Sequence, residues 1–128
     1  NVNRRREIAE QYRSRLMSVN GLRLLRGFLG SDCSYWRFPL YLEGGVDRLD
    51  LQNGMNKNHK VRITWMYEPL CHLQPVFNKF FVKGTRLPTA EKCMSELICL
   101  PCYPDLKDGD IDRICSGLER EINKLNHS

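Results

Sequence analysis

The chain has 128 residues, of which 41% are hydrophobic and 27% are charged, and its formal net charge is +5. This length and composition are typical of one soluble globular domain rather than a disordered segment, and no apolar run is long enough to suggest a membrane span. The positive charge is concentrated in residues 1–30, and one basic segment is a weaker nucleic-acid signal than a basic face with interleaved aromatics, so we predict neither a nucleic-acid nor a membrane partner.

The first predicted element is a helix over residues 1–19, in which apolar residues recur at intervals of four, four and three. These residues are Ile8, Tyr12, Leu16 and Val19. Asn20-Gly21 is expected to end the helix, because glycine readily adopts the conformation that follows a helix end. The next stretch, LRLLRGFLGSDC (residues 22–33), fits no element.

Strands are predicted where apolar and other residues alternate. In SYWRFPLYLE, one side carries Trp36, Phe38, Leu40 and Leu42, and in KVRITWMY one side carries Val61, Ile63 and Trp65. Pro39 favours an edge strand or a bulge over a central strand, because it has no N–H to donate. We expect Trp36 and Trp65 to anchor the core.

Helices, a long loop and one short strand make up the rest of the chain. VDRLDLQNGM predicts a short helix ending near Gly54, and residues 68–86 predict a long ordered loop of the kind that is usually functional or contacts a partner. Pro88 is expected to open the next helix, and LICL is a short strand. A single apolar stripe predicts the last helix: Ile111, Ile114, Cys115, Leu118, Ile122 and Leu125. The sheet and its covering helices are therefore expected over residues 34–125, in an α+β fold.

CLPC (residues 99–102) has the spacing of a redox pair or of half a zinc site. A thioredoxin-like pair lies at a helix N-terminus, whereas no helix is predicted for several residues after Cys102. A zinc site needs about four ligands, and the only other candidates, Cys71-His72, are adjacent in sequence. We favour a structural role over zinc binding or redox chemistry, and we expect all six cysteines to be reduced.

Other chemical motifs are weak or absent. DLKDGDID resembles a calcium loop but lacks the twelve-residue pattern ending in glutamate, and acidic residues at a helix start interact favourably with its dipole. The sequence contains no G-x-S-x-G, no phosphate-binding glycine loop and no H-E-x-x-H. Lys79 and Lys83 lie in polar loop contexts that do not favour a Schiff base. We predict no catalytic, cofactor-binding or metal-binding residue.

His72 is the most interesting polar residue, because it lies in a proline-flanked loop rather than on a periodic apolar face. Tyr67, Glu68 and Gln74 lie near it in sequence and are able to make polar contacts with a ligand. The residues alone leave a functional and a structural role for His72 equally open.

Four stretches then occur in a recognisable order: RREIAEQYRSRL, WRFPLYLE, WMYEPLCHLQPVF and RLPTAEKCMSELICLPCYPDLKDGDIDRICSGL. Together they resemble the C-terminal part of the DegT/DnrJ/EryC1/StrS sugar aminotransferases, fold-type-I enzymes that use pyridoxal phosphate (PLP) to aminate keto-sugars, usually carried on a nucleotide diphosphate. The family pattern is a proline-leucine-histidine loop, then L-P-x-A-E, then LP-x-YP-x-L before an acidic-hydrophobic helix. It matches Pro69 to Gln74, Leu87 to Glu91, and Leu100 to Leu106. Cys71 departs from the pattern, because the family has histidine directly after leucine.

The resemblance implies that residues 1–128 are the small C-terminal domain of such an enzyme, with about three strands packed against three to four helices and with the large PLP-binding domain missing. It implies that His72, Tyr67 and Gln74 contact the substrate in one wall of the site, and that the basic first helix faces the missing domain. The intact enzyme is expected to be a cytoplasmic homodimer that moves an amino group from glutamate or a similar donor to a keto-sugar nucleotide. The isolated chain is expected to bind no PLP and to be inactive. The alternative is a non-catalytic ligand- or protein-binding module derived from the family.

Overall fold

The helices and strands are those of a computed structural model, which describes residues 1–25, 33–77, 79–80 and 84–127. Within these residues lie four α-helices and one three-stranded antiparallel sheet. In chain order they are α1 (Val2–Leu16), β1 (Leu22–Leu24), β2 (Phe38–Leu42), α2 (Arg48–His59), α3 (Pro88–Glu96), β3 (Leu97–Leu100) and α4 (Asp108–Asn126). The predicted α+β fold, with about three strands against three to four helices, is confirmed. No described helix combines the length and the hydropathy that crossing a bilayer requires.

The central strand of the sheet is β2, in the order β1-β2-β3. Its side chains alternate between buried and half-buried, and Phe38, Leu40 and Leu42 enter the core as the sequence pattern predicts. Leu40 faces Leu24 of β1 and Ile98 of β3, so the core side of β2 is covered along both edges by apolar neighbours.

The predicted edge or bulge position of Pro39 is wrong, because Pro39 lies in the central strand. Its partner is Cys99, whose own N–H and C=O bond to Thr64 on the far side of β3. Pro39 and Cys99 therefore form a non-hydrogen-bonded pair, and the nitrogen of Pro39 faces the β1 side of the sheet. The pairing with β1 ends at Leu24, opposite Leu40, so the missing N–H removes no ladder hydrogen bond.

The third strand comes from the stretch to which the sequence assigned no element. Leu22–Leu24 forms β1 and pairs with β2, so the sheet begins well before the expected limit at residue 34. Residues 26–32 of the same stretch lie outside the described residues.

The predicted strand KVRITWMY forms only an isolated bridge, between Thr64 and Cys99. Val61 and Ile63 are buried as predicted, but Lys60 and Tyr67 have positive φ values of 57° and 61°. Left-handed backbone at both ends leaves only a short extended piece between them, which explains why no continuous ladder forms.

The core is formed by one side of the sheet together with α1, α2 and α4. The predicted stripe of α4 is confirmed, with Ile111, Ile114, Cys115, Leu118 and Ile122 buried and Leu125 half-buried. Helix α1 ends at Leu16, slightly before the predicted Val19. The hydroxyl of Tyr12 donates a 2.7 Å hydrogen bond to the carbonyl oxygen of Pro101, which ties α1 to the residue after β3.

The prediction that the second helix ends near Gly54 is wrong, because α2 continues to His59. A Cβ atom on Gly54 would lie 2.5 Å from Oε2 of Glu121 in α4. Glycine at this position permits a close approach between the two helices and does not stop the helix. The start of α2 is capped by Asp47, whose carboxylate accepts two backbone N–H groups of the first turn.

The two tryptophans are not core anchors, which corrects another prediction. Trp36 precedes β2 and is 55% exposed. Trp65 is half-buried, its Nε1 donates to Glu68 at 2.9 Å, and the guanidinium of Arg48 lies 4.2 Å from its ring centroid. Both side chains lie outside the strands, where the alternating pattern no longer determines which way they point.

Part of the basic charge of α1 is balanced within the domain. Arg4 donates to Asp108 of α4 at 3.0 Å, and Arg15 forms an ion pair with Asp112 one turn further along. These pairs join α1 to α4 and account for part of the charge imbalance without a second protein. That the helix faces a missing domain stays a prediction.

Candidate functional site

The predicted loop over residues 68–86 contains two short 3-10 turns, Cys71–Leu73 and Pro75–Phe77. We call Tyr67 to Glu96 the loop–helix segment, since it comprises this loop and α3. Within its described residues, His72 alone is buried. The segment therefore contributes no buried apolar side chain to the core, and other contacts must hold it in place.

One polar cluster joins the loop to the start of α3. Nε2 of His72 lies 3.0 Å from Oε1 of Glu91, Nε of Arg86 lies 3.0 Å from Oε2, and the backbone N–H of Leu87 donates to Oε1 at 3.1 Å. The Arg86 guanidinium, with further hydrogen bonds from His72 and Leu87, lowers the pKa of Glu91 to about 2. Because an ionised carboxylate only accepts hydrogen bonds, Nε2 of His72 carries a proton, and Nδ1 is the acceptor whenever the ring is neutral.

A second polar cluster joins the loop–helix segment to α2. Arg48, the first residue of α2, forms an ion pair with Glu68 and donates to the carbonyl oxygen of Met94 at 2.6 Å. A cation near the last carbonyl groups of α3 interacts favourably with the helix dipole. Trp65 bonds to Glu68 and lies under the Arg48 guanidinium. Two polar clusters thus help to hold the segment against the domain.

The three candidate substrate-binding residues have different surroundings. Tyr67 is 69% exposed. Gln74 is half-buried, and its Nε2 donates to the carbonyl oxygen of Pro69 at 2.9 Å, a bond within the loop. His72 is buried and bonded to Glu91. The structure therefore places Tyr67 in solvent, Gln74 in a hydrogen bond within the loop, and His72 in the polar contact that joins the loop to α3.

Sequence reasoning missed the residues that position the loop, namely Arg48, Arg86 and Glu91. Glu91 lies in the first turn of a helix opened by Pro88, where a carboxylate can accept backbone N–H groups, and that pattern was available from the sequence. The bond to His72 was not, because it depends on how the loop folds back onto α3.

The loop carries four exposed apolar side chains within eight residues. We call them the apolar loop patch: Leu73, Val76, Phe77 and Phe80, which are 46%, 66%, 37% and 70% exposed. The ring centroids of Phe77 and Phe80 are 6.4 Å apart, and Nζ of Lys79 lies 5.0 Å from the centroid of Phe80.

A groove of about 470 Å³ lies between the loop and α3. Its walls combine the carboxylates of Glu68 and Glu91 with Leu70, Leu73 and Met94. Small-molecule sites commonly measure about 300–1,000 Å³ and mix apolar walls with a few polar groups, so the groove has the size and chemistry of one.

The lysines of the described residues do not fit PLP. A Schiff-base lysine needs a desolvated amine, and every described lysine is exposed. These are Lys57, Lys60, Lys79, Lys92, Lys107 and Lys124. Lys83, the other candidate from the loop, lies outside the described residues. We assign no step of PLP chemistry to this chain.

The two cysteines of CLPC lie in and just after β3. Burial raises the pKa of Cys99, and it raises that of Cys102 to about 11, which disfavours the thiolate that redox chemistry and zinc binding require. All six cysteines carry free thiols.

Two acidic residues of DLKDGDID, Asp108 and Asp110, lie in the first turn of α4. Hydrogen bonds from Arg4 and Gln11 lower the pKa of Asp108. In the ranges that the structure describes, no group of three or more His, Cys, Asp or Glu side chains could hold a metal ion.

Fold and site together define an α+β domain whose candidate site is a loop held by polar contacts beside a groove. The chain belongs to the DegT/DnrJ/EryC1/StrS aminotransferase family, whose model matches residues 1–119. The resemblance noted in the sequence is thereby confirmed.

Relatives of this family are much longer than the chain. It is 24% identical over 116 residues to the dTDP-4-amino-4,6-dideoxy-D-glucose transaminase of Escherichia coli, covering 88% of this chain and 31% of that protein. Its structure matches the aminotransferase TlmJ from Streptoalloteichus hindustanus with a TM-score of 0.83 and 30% identity, over 97% of this chain and 32% of TlmJ. It matches NtdA from Bacillus subtilis, solved with bound PMP, with a TM-score of 0.85 and 26% identity, over 96% of this chain and 28% of NtdA. The chain thus spans about a third of the relatives that it matches.

Proposed function

We propose that this chain is the small C-terminal domain of a PLP-dependent aminotransferase that acts on nucleotide-linked keto-sugars, and that it supplies one wall of the substrate site. The family match supports the aminotransferase class, and the E. coli relative, named for a dTDP-linked amino sugar, supports the substrate class. A span of about a third of such relatives fits a domain that works with a larger PLP-binding remainder.

The observation that carries this proposal is the fastened loop. His72 and its neighbours lie in the loop that matches the family's proline-leucine-histidine pattern, and the Arg86–Glu91 pair fixes that loop against α3. A loop held by charged hydrogen bonds presents its polar groups in a set geometry, so less ordering is needed when a ligand binds.

The side chains of the loop then have separate roles. Tyr67 is free in solvent to exchange hydrogen bonds with sugar hydroxyls, since a phenol both donates and accepts. His72 offers Nδ1 as an acceptor, and Gln74 shapes the loop through its bond to Pro69. The amino transfer itself belongs to the remainder of the enzyme, which we propose to be a cytoplasmic homodimer.

The test begins with the full-length polypeptide in which this chain is encoded. We expect it to transfer an amino group from glutamate to a keto-sugar nucleotide when PLP is supplied, and we expect the 128-residue chain to show no turnover. After borohydride treatment, mass spectrometry should find no PLP on lysines of the isolated chain. Turnover by the isolated chain, or a reading frame without a PLP-binding domain, would contradict the proposal, and the second outcome would favour the non-catalytic module.

The role of the loop is tested separately in the active enzyme. Tyr67→Phe removes a hydroxyl that is free in this structure, and it is expected to raise KM for the sugar nucleotide severalfold with little change in kcat. Tyr103→Phe is the matched control, because Tyr103 is also exposed but lies after β3, outside the loop. Equal effects of the two changes would show that the loop does not contact the sugar.

A further inference from the structure

We propose that a cleft beside the first residues of β2 binds a small ligand that has one aromatic ring and a carboxylate group. This inference goes beyond the proposed function, because the cleft shares no lining residue with the groove beside α3 and binding there requires no aminotransferase activity. We call it the β2 cleft, and its wall includes Arg13, Tyr35, Trp36, Arg37, Pro39 and Met66.

The cleft lies on the side of β2 that faces away from the core. Phe38 and Leu40 enter the core, so the alternation of the strand places Pro39 on the other side, next to its partner Cys99. Tyr35, with a left-handed φ of 47°, turns the chain just before β2, and its ring stacks on Phe38 with 6.3 Å between the centroids. Cys99 is nevertheless buried, so neighbouring side chains cover this part of the sheet and leave a cleft rather than an open face.

The size of the cleft suits a single ring. Its volume is about 140 Å³. An apolar cavity of about 150 Å³ holds benzene, so the β2 cleft accommodates one six-membered ring but no larger ring system. Tyr35, Trp36, Pro39 and Met66 make its wall mainly apolar, and both aromatic side chains and a methionine sulfur pack favourably against a further ring.

Two half-buried arginines give the cleft its charge. Arg13 donates to the carbonyl oxygen of Leu25 and to the hydroxyl oxygen of Tyr35, each at 3.4 Å. Arg37 donates to the hydroxyl oxygen of Thr64 at 2.8 Å. In the part of the chain that the structure describes, both guanidinium groups are thus bonded to neutral oxygens. A cation that lacks a counter-charge attracts an anion, and the planar guanidinium group matches the geometry of a carboxylate.

The two charges lie beside the aromatic side chains of the wall. Arg13 is at the hydroxyl end of Tyr35, and Cζ of Arg37 is 5.0 Å from a ring centroid of Trp36. Trp36 is 55% exposed, so this end of the cleft is accessible from solvent. A benzoate-like molecule therefore fits with its ring against the apolar wall and its carboxylate towards the arginines, whereas an amine in the same place would be repelled.

The experiment titrates the full-length polypeptide with benzoate in a calorimeter. Benzamide keeps the ring without the charge and acetate keeps the charge without the ring, and we expect each to bind at least about tenfold more weakly. Arg13→Gln and Arg37→Gln should each weaken benzoate binding by a similar factor. Arg62→Gln is the matched control, because Arg62 is exposed and lies outside the cleft, and it should leave the affinity unchanged. Absence of benzoate binding, equal binding of benzamide, or wild-type affinity in both cleft variants would overturn the proposal.

A second measurement locates the ligand in the unmutated protein. Cys33 and Cys93 are both half-buried, but only Cys33 lines the β2 cleft. Saturating benzoate should slow the alkylation of Cys33 by iodoacetamide, followed by mass spectrometry, and should leave the rate at Cys93 unchanged. An unchanged rate at Cys33, or equal slowing of both thiols, would contradict the assignment. Neither measurement involves amino transfer, so failure of benzoate binding counts against this site alone and failure of turnover counts against the proposed function alone.

Discussion

His59 of α2 and Glu121 of α4 are bonded across the two helices, with Nε2 of His59 3.0 Å from Oε1 of Glu121. Each side chain lies against a glycine of the opposite helix. The carboxylate of Glu121 faces Gly54, and the ring of His59 faces Gly117, where a Cβ atom would lie 2.7 Å from Cγ. Two glycines and the His59–Glu121 hydrogen bond thus set the distance between α2 and α4 together.

Removing the charge of Glu121 should destabilise the domain. Its Oε1 is buried and accepts hydrogen bonds from Asn58, His59 and Lys124. Hydrogen bonds to charged groups contribute about 1.5–3 kcal/mol, so Glu121→Gln should lower the free energy of unfolding by roughly 2 kcal/mol in urea titrations. Glu119→Gln, on the exposed side of the same helix, should change it by less than about 0.5 kcal/mol. Similar effects would show that the bonds across the helices contribute little.

The same substitution has a defined pH dependence. Burial acts to raise the pKa of Glu121, but hydrogen bonds from Asn58, Lys124 and His59 outweigh it, so the pKa lies below its ordinary value of 4.5. A lowered pKa means that the carboxylate stabilises the fold above pH 4.5 and loses that contribution as the pH falls below it. The difference between wild type and Glu121→Gln should therefore narrow in acid; a constant difference would contradict this assignment.

Adding a methyl group at Gly117 should push the helices apart. Alanine favours helix over glycine, but its Cβ would overlap the His59 ring, which is held by Glu121. Overpacking typically costs about 1–3 kcal/mol, so Gly117→Ala should lower the midpoint of thermal unfolding. Gly109→Ala is the control in the same helix, since nothing lies within 4 Å of its added Cβ, and it should be neutral or stabilising. A stabilising Gly117→Ala would mean that α2 and α4 have more room than this geometry allows.

Glycine at position 60, directly after the end of α2, should give a more stable domain than lysine does. Lys60 has a φ of 57°, in the left-handed region that costs a residue with a Cβ about 1–2 kcal/mol. Lys60→Gly should therefore raise the free energy of unfolding by about 1 kcal/mol. Lys57→Gly, inside the same helix, should lower it by about 1 kcal/mol. The opposite signs distinguish relief of backbone strain from loss of a positive charge, which both changes share.

The contacts of Glu91 with His72 and Arg86, which hold the loop, should weaken in acid. The pKa of Glu91 is about 2, held down first by the Arg86 guanidinium, against an ordinary value of 4.5. Its contribution to stability is therefore complete above pH 4.5 and decreases as the pH falls towards 2. The protection factors of the amides in residues 70–77, which compare the observed exchange with the intrinsic rate at the same pH, should fall over this range in the wild type. They should already be low in Glu91→Gln at neutral pH. Glu96→Gln, at the other end of α3, should behave as wild type, and loss of protection in that control would point to α3 as a whole.

Periodic sequence patterns predicted the elements that bury one side in the core, namely the strand β2 and the helix α4. The stripe of α4 and the alternation in β2 were readable because Leu118 and Leu40 repeat the spacing of their elements. Elements that depend on contacts with a distant part of the chain could not be predicted from the sequence. Nothing in Leu22–Leu24 distinguishes a strand from a loop until β2 lies beside it, and Gly54 looks like a helix end until Glu121 is placed against it.

For the candidate site, the sequence predicted a loop but not the contacts that hold the loop in place. Prolines and a lone histidine marked the loop, and the family pattern named His72, Tyr67 and Gln74. The sequence does not show which side chain pairs with which. Arg48 and Glu68 are 20 residues apart, and His72 and Glu91 are 19 residues apart. Long-range polar pairs leave no periodic trace, and they determine which residue is exposed and which is held.

Because no described apolar side chain of the loop–helix segment is buried in the core, the free energy of folding depends little on which residues fill its outer face. A substitution there leaves the sheet and the packing of α1, α2 and α4 unchanged. The segment can therefore diverge in sequence while the scaffold stays constant. Under the proposed function, selectivity among chemically similar ligands can change in this loop at little cost in stability, provided that the charged contacts of Arg48 and Glu91 are kept.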